Sequence, residues 1–297
     1  MQRTPFHLRF LGNRSARIGF VLVAAMTFLA IAGAFVPKEK YDAQHRRDAA
    51  GQLIRDHPKK PGADGFTFGT DLAGRDIFWR LIRGSYFTLR SGLGAVMLAL
   101  LVGTPIGLIC GYFGGWLDGV TMRLMDLLLA FPALLLALAL MTVLRAMGPA
   151  AGGGGESNLF YAIIAIGVVY APHFARVIRS TTLQARSLDY IQACRVTGCS
   201  TPRIIFRHIF PNTISPIAVL ATMSLSSAIL EIAALSFLGL GAADEPEWGR
   251  MMAEAKSYWQ NHPHLIVVPG IALSLSVFGI NLLGDGLRDA LDVRLRD

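Results

Sequence analysis

Six stretches of this chain are long and apolar enough to cross a lipid bilayer, and this constrains its fold more than any other feature. They are Ile18–Val36, Ser91–Phe113, Leu127–Leu144, Leu159–Ala175, Thr213–Leu240 and Leu265–Leu283. About 20 apolar residues in a helix span the roughly 30 Å hydrocarbon core. Inside that core each backbone N–H and C=O must find its partner within the protein, so apolar runs of this length become helices. The fourth run is short and ends on Pro172 and His173, and the fifth carries Glu231. The expected fold is all-α and integral to a membrane, with six transmembrane helices.

Only 16% of the residues are charged, against about 25% in soluble domains, whose surfaces face water. The net charge of +8 comes from arginines set between the apolar runs. Basic residues there set the orientation of membrane proteins, and no separate basic domain offers itself to nucleic acid. Cys110, Cys194 and Cys199 have neither the number nor the spacing of a disulfide framework or a zinc site. They are expected as small apolar fillers. No Gly-Lys-Ser/Thr phosphate loop occurs, so any nucleotide hydrolysis must come from another polypeptide. No cofactor and no catalytic cluster of His, Asp and Glu is expected, and the chain is not expected to be an enzyme. His262 and His264 flank Pro263 but lack a third placed ligand, so no metal site is expected. The first apolar run exceeds the core of a signal peptide and ends in Val36-Pro37-Lys38, so it reads as a retained anchor.

Flanking charges set an expected orientation. Arg3, Arg9, Arg14 and Arg17 precede the first run without an acid, Arg288, Arg294 and Arg296 follow the sixth, and five arginines crowd the connection between the fourth and fifth. All three segments are expected to be cytoplasmic, with the chain in a plasma membrane. Segment 38–90 then lies outside despite its Lys and Arg, with Asp42, Asp48, Asp56, Asp71 and Asp76 interspersed. The domain reading is a cytoplasmic tail and first helix over 1–37, an external loop with an interfacial helix over 38–90, a five-helix core over 91–285, and a cytoplasmic tail over 286–297. The interfacial helix is expected over 71–89, with Ile77, Phe78, Leu81 and Ile82 on one face. Residues 152–155 are all glycine and read as a flexible loop.

Segment 180–211, inside the core region, is too polar for lipid. Asp189 and Gln192 have the spacing of a capping box opening a helix over 190–197, and Gly198 suits its left-handed end. Thr201-Pro202 marks a second start, and Pro211 is expected to end the unit and open the fifth span. Ile191, Cys194, Ile204, Ile205 and Ile209 are available for packing, with Arg203 and Arg207 at the rim.

Within the spans, Glu231 is expensive to bury unless paired or facing water. It reads either as a residue of a translocation pathway or gate, or as a structural hydrogen bond to a neighbouring helix. Arg176 and Arg179 are expected as snorkelling anchors, Asp126 as the helix-end partner of Arg123, and Asp285 with Asn281 as a helix cap, the alternative being packing or hydrogen bonding with segment 180–211. Trp248 and Trp259 are expected in the interfacial belt. Gly103, Gly107 and Gly111 lie four apart and permit close packing, expected against a partner subunit.

Gln192-Ala193-Cys194, three residues, then Gly198 and a later Phe210-Pro211 resemble the EAA loop of ABC importer permeases, whose pattern is Glu-Ala-Ala, three residues, Gly and a later Leu-Pro. Phe68-Gly69-Thr70-Asp71 with Gly74-Arg75-Asp76 resembles an external signature of the C-type permease of dipeptide and oligopeptide importers. Met122–Asp126 with Ala130-Phe131-Pro132, Leu230-Glu231 with Leu235–Gly241, and Gly284–Asp292 resemble the same subfamily. The resemblance implies a type I ABC importer permease (MetI-like) fold. It implies coupling of Asp189, Gln192, Ala193, Cys194, Gly198, Arg203, Arg207 and Pro211 to an ATPase. It further implies as partners a homologous B-type permease, two ATP-binding subunits and an extracytoplasmic substrate-binding protein, with lipid around them. Di- or oligopeptides are the expected cargo. Nickel or another small solute is the alternative within the family, and a stand-alone secondary transporter the alternative outside it.

Overall fold

The computed structural model describes residues 10, 12–44, 58–148, 155–241 and 245–291. The expectations placed on Arg3, Arg9, Asp48, Asp56, glycines 152–154, Arg294 and Arg296 lie outside those residues. The described residues form helices and turns with one isolated bridge, between Thr70 and Asp76.

Helix α1 spans Arg14–Ala34. The Asn13 side chain caps it by accepting from the backbone N–H of Ser15 at 2.9 Å. Helix α2 spans Ile77–Phe113, 37 residues without interruption. Asp76 caps its start by accepting from Phe78 N–H at 2.9 Å. A separate interfacial helix over 71–89 is therefore corrected. Residues 71–76 turn, and nothing between Leu89 and Ser91 can break the ladder. Ile77 is buried, while Phe78, Leu81 and Ile82 line a cleft shared with α1 and the last helix. Gly114 ends α2 and Gly115 opens the next helix, at φ +67° and +66°, the left-handed region that other residues reach only with strain.

The third span is not one straight helix. Helices α3 (Gly115–Leu129) and α4 (Ala133–Met147) meet at 96°. Pro132 disfavours helical backbone at Phe131 and offers no N–H to the turn before it. The apolar run hides this break because it continues on both sides. Helix α4, about 22 Å long, reaches the opposite end of the bundle, where Arg145 donates to Leu240 O at 2.6 Å.

Helix α5 spans Gly155–Arg186 and continues past Pro172 well beyond its apolar stretch. It runs parallel to α2. A Cβ on Gly94 would meet Ile163, on Gly103 Ala171, on Gly107 Ala175 and on Gly111 Thr182. Two neighbouring helices of the same direction need an odd number of crossings between them. The α3–α4 pair therefore counts as one span, and the chain crosses six times. The glycine stripe packs on this chain's own α5, which corrects the expectation of a partner subunit there.

Beyond the short helix α6 (Asp189–Val196), the next helix runs from Thr201 to Leu240 and is called α7. It contains two wide-turn segments, Ile204–Ile209 and Ser236–Leu240, in which the bonds skip five residues. Pro211 therefore does not open the fifth span, as its sequence context suggests. The preceding wide turn, with Phe210 N–H bonded to Ile205 O, leaves room for the proline ring that a regular turn would crowd. Helices α8 (Trp248–Ala255) and α9 (His264–Leu291) complete the chain. Helix α9 packs antiparallel on α1, where a Cβ on Gly19 would lie 2.4 Å from Leu283 N. At one end of this pair Asn13 Nδ2 donates to Asp289 at 3.0 Å. Both ends of the described bundle thus lie on one side, as six crossings require.

One apolar core joins α2, α4, α5, α6 and α7, and a second joins α1, the start of α2, α7, α8 and α9. Outward faces carry Phe20, Phe28, Leu101, Leu135 and Phe278, a surface suited to acyl chains and not to water.

Candidate functional site

The elbow between α5 and α7 lies at the end of the bundle shared by the two termini. Ile191 and Ile209 are fully buried and Ile204 almost so, packed with Ile178 and Ala185 in the larger core. Asp189, Gln192, Ala193, Arg203, Arg207 and Pro211 are exposed, and Cys194 is half-buried. Gly198 takes φ +79° and folds the chain back between α6 and α7.

Three ties hold the elbow to the bundle. Arg186 Nη1 donates to Tyr112 O at 2.7 Å. The Arg195 guanidinium lies 5.2 Å from the Tyr112 ring centroid. Asn212 Nδ2 donates to Tyr190 Oη at 2.8 Å and to His208 O at 2.7 Å. The capping box is corrected. Leu188 holds the cap position without a side-chain bond, and Gln192 Nε2 donates back to Arg186 O at 3.2 Å. The second short helix is corrected too, since Thr201 begins α7 itself.

The arginines at the end of α5 are not free anchors. Arg179 forms a two-point pair with Asp118 on α3, 2.5 Å at each bond. Arg176 pairs with Asp126 on α3, which replaces the expected Arg123 partner. The pairs clamp α3 across α5. Asn281 accepts from Ser226 Oγ at 2.6 Å and joins α9 to α7 instead of capping a helix; Asp285 lies inside α9, not at its end.

Within the bundle, Tyr170 Oη donates to Glu231 Oε1 at 3.1 Å. Glu231 Oε2 is buried and has no hydrogen-bond partner. Beyond Tyr170 the outward face of α5 reads His173, Arg176, Ser180 and Gln184, all exposed. A spanning helix facing lipid would carry apolar groups there.

The opposite end holds a charged knot that sequence reasoning found only in part. Arg75 and Asp71 belong to the signature turn, and their side chains pair at 2.7 Å. Arg80 of α2, nearly fully buried, pairs with Asp71 at 2.8 Å and with Glu254 of α8 at 3.0 Å. Arg75 also reaches Glu254 at 3.0 Å, and Arg250 reaches it at 2.8 Å. Burial pushes the Glu254 carboxyl upward, but Arg80, Arg250 and Arg75 outweigh it and hold it below the usual range. The four-residue spacing of Arg250 and Glu254 was the one local signal available. Glu247 is fully buried and caps α8 by accepting from Gly249 N–H at 3.0 Å. Burial holds its carboxyl above the usual range. Trp248 is buried, with Nε1 donating to Leu81 O at 3.0 Å, so it is not a belt residue; Trp259 is exposed. The His262 and His264 rings lie 6.1 Å apart, and among the described residues no group of three or more His, Cys, Asp or Glu could hold a metal ion.

Six crossings, an elbow braced at one end and a charged knot at the other define a polytopic helical transport subunit. Residues 103–297 match the family described as binding-protein-dependent transport system inner membrane component, and the chain belongs to that family. It is 40% identical to the dipeptide transport system permease protein DppC of Alkalihalophilus pseudofirmus, over 96% of this chain and 87% of that protein. It is 37% identical to the glutathione transport system permease protein GsiD of Pectobacterium atrosepticum, over 99% and 93%. Among solved structures it is similar to the inward-facing MetNI methionine ABC transporter, with TM-score 0.59, 20% identity, and coverage of 73% of this chain and 98% of that one. This last likeness concerns the fold. The chain is thus a permease subunit of the ABC importer type, and the ATPase resides in other subunits.

Proposed function

We propose that this subunit forms half of the translocation pathway of an ATP-driven importer for short peptides. The elbow faces the cytoplasm and receives force from an ATPase subunit. A homologous permease forms the other half, two ATP-binding subunits dock on the elbow side, and a substrate-binding protein docks on the side of the charged knot. ATP binding closes the ATPase dimer, the elbows move with it as rigid bodies, and the two permease halves rock to open the path. Glu231 belongs to that path.

The observation that carries this reading is the braced elbow. Its isoleucines are buried in the larger core and its polar face is exposed, so displacement of that face must move α5 and α7. The peptide class is supported by relatives named for dipeptide and glutathione transport at 37–40% identity, both cargoes being short peptides.

The test is purification with associated subunits after gentle solubilisation. A Gln192→Cys variant is expected to crosslink to an ATP-binding subunit, and dipeptides are expected to stimulate ATP hydrolysis severalfold. Absence of the crosslink in an intact complex, or labelling of the elbow from outside the cell, would overturn the coupling role. Stimulation by nickel and not by peptide would replace the cargo, and uptake driven by an ion gradient without ATPase partners would replace the class.

A further inference from the structure

We infer that Glu231 is an ammonium receptor within the pathway, which takes the charged amino terminus of the passing peptide; this rests on the peptide-importer reading above. Three observations converge on it. First, the carboxylate is half satisfied. Tyr170 occupies Oε1 at 3.1 Å, and Oε2 is buried with nothing bonded to it. An ionisable group within a spanning helix with a buried, unsatisfied acceptor is costly and calls for a donor.

Second, no cation of the described residues is paired with it. Arg176, about 9 Å along α5 from Tyr170 by helical rise, is neutralised by Asp126. No fixed cation therefore occupies the acceptor that Glu231 offers.

Third, the group sits at the head of the polar face formed by His173, Arg176, Ser180 and Gln184, all exposed. A single buried contact would suit a fixed neighbour. A polar row leading from it toward the elbow end suits a hydrated path along which a solute moves.

The geometry also selects among cations. A guanidinium pairs best through two parallel bonds to both carboxylate oxygens, and one is already taken. A metal ion requires further ligands, and the described residues hold no cluster for one. A compact ammonium needs one open oxygen and carries donors to spare for water.

Two measurements test the assignment. In proteoliposomes holding the full complex with its binding protein, Glu231→Gln is expected to lower the maximal uptake rate of alanyl-alanine about tenfold and to leave that of N-acetyl-alanyl-alanine unchanged. An equal loss for both peptides assigns Glu231 a structural role and overturns the proposal, as does no loss for either. The second measurement omits the binding protein. Alanyl-alanine amide, which keeps the ammonium and lacks the carboxylate, is expected to raise the melting temperature of the purified wild-type complex, while its N-acetyl form does not. No difference between the two overturns the proposal by itself, whether or not Glu231→Gln assembles. Absence of ATP-driven uptake of either peptide, with the thermal difference present, would overturn the importer reading and leave the receptor standing.

Discussion

Replacing Gly107 with leucine is expected to abolish folded protein, seen as loss of the monodisperse peak and of cooperative melting in detergent. A Cβ at this position would lie 2.6 Å from Ala175 O and 2.8 Å from Ile178 Cβ. Backbone cannot swing aside as a flexible side chain does, so α2 and α5 would have to separate. Overpacking a tight core costs about 1–3 kcal/mol even where neighbours can adjust. Here the shift would propagate along the contacts at Gly103 and Gly111, which are equally close. Gly119 supplies the internal control. A Cβ there meets nothing within 4 Å, so Gly119→Ala on α3 is expected to be neutral or to stabilise by up to about 1 kcal/mol through helix propensity. A similar loss in both variants would mean that the stripe does not hold the two helices together.

Glu254→Gln is expected to destabilise the protein by about 1–3 kcal/mol, the usual cost of losing charge-assisted bonds in a partly buried cluster. Arg80 loses one of its two carboxylates in a nearly closed site, and Arg75 and Arg250 lose a shared acceptor. The variant also predicts a pH dependence. The folded Glu254 carboxyl lies below its ordinary value of 4.5. Its contribution is therefore complete above that value and is lost as pH falls through the folded value. Glu247, whose carboxyl is raised by burial, acts in the opposite sense: its contribution is present at low pH and declines as pH rises through the carboxylate range. The readout is accordingly the difference between wild type and Glu254→Gln. That difference in melting temperature is expected to be constant near neutrality and to shrink below pH 4.5. A constant difference across the acid range would show that Glu254 acts by packing and not by charge.

The spans were legible because the bilayer dictates a length, and six runs of that length have one form available. Their ends were less so. Helix α5 extends through Arg176, Arg179 and Arg186, where apolar periodicity gives out; acids of α3 neutralise the first two, and the Tyr112 carbonyl of α2 accepts from the third. Pairs such as Asp118 with Arg179 join residues 61 apart, and no local pattern announces them. Two prolines with similar local signals went opposite ways. Pro132 bends the chain through 96°, whereas Pro211 is carried inside a continuous helix because the turn before it widens. Which outcome prevails depends on what packs around the proline, and composition does not record that. The close approach signalled by Gly103, Gly107 and Gly111 was readable, but the surface they approach was not. At the candidate site, the exposure of the elbow residues followed from polarity against an apolar background, and Glu231 makes the bond to a neighbouring helix that was one of its two expected readings. Arg80 and Glu254 stayed hidden because one opens a spanning helix and the other sits on a short helix far away in sequence.

The seam between α1 and α9 has a consequence for biogenesis. Synthesis is vectorial, so the segment inserted first must wait in the bilayer until the segment inserted last arrives. During that interval the shallow notch at Gly19, which Leu283 later covers, is open to lipid or to neighbouring proteins. Premature termination anywhere before His264 leaves that face of α1 uncovered, although α2 already packs at Gly33.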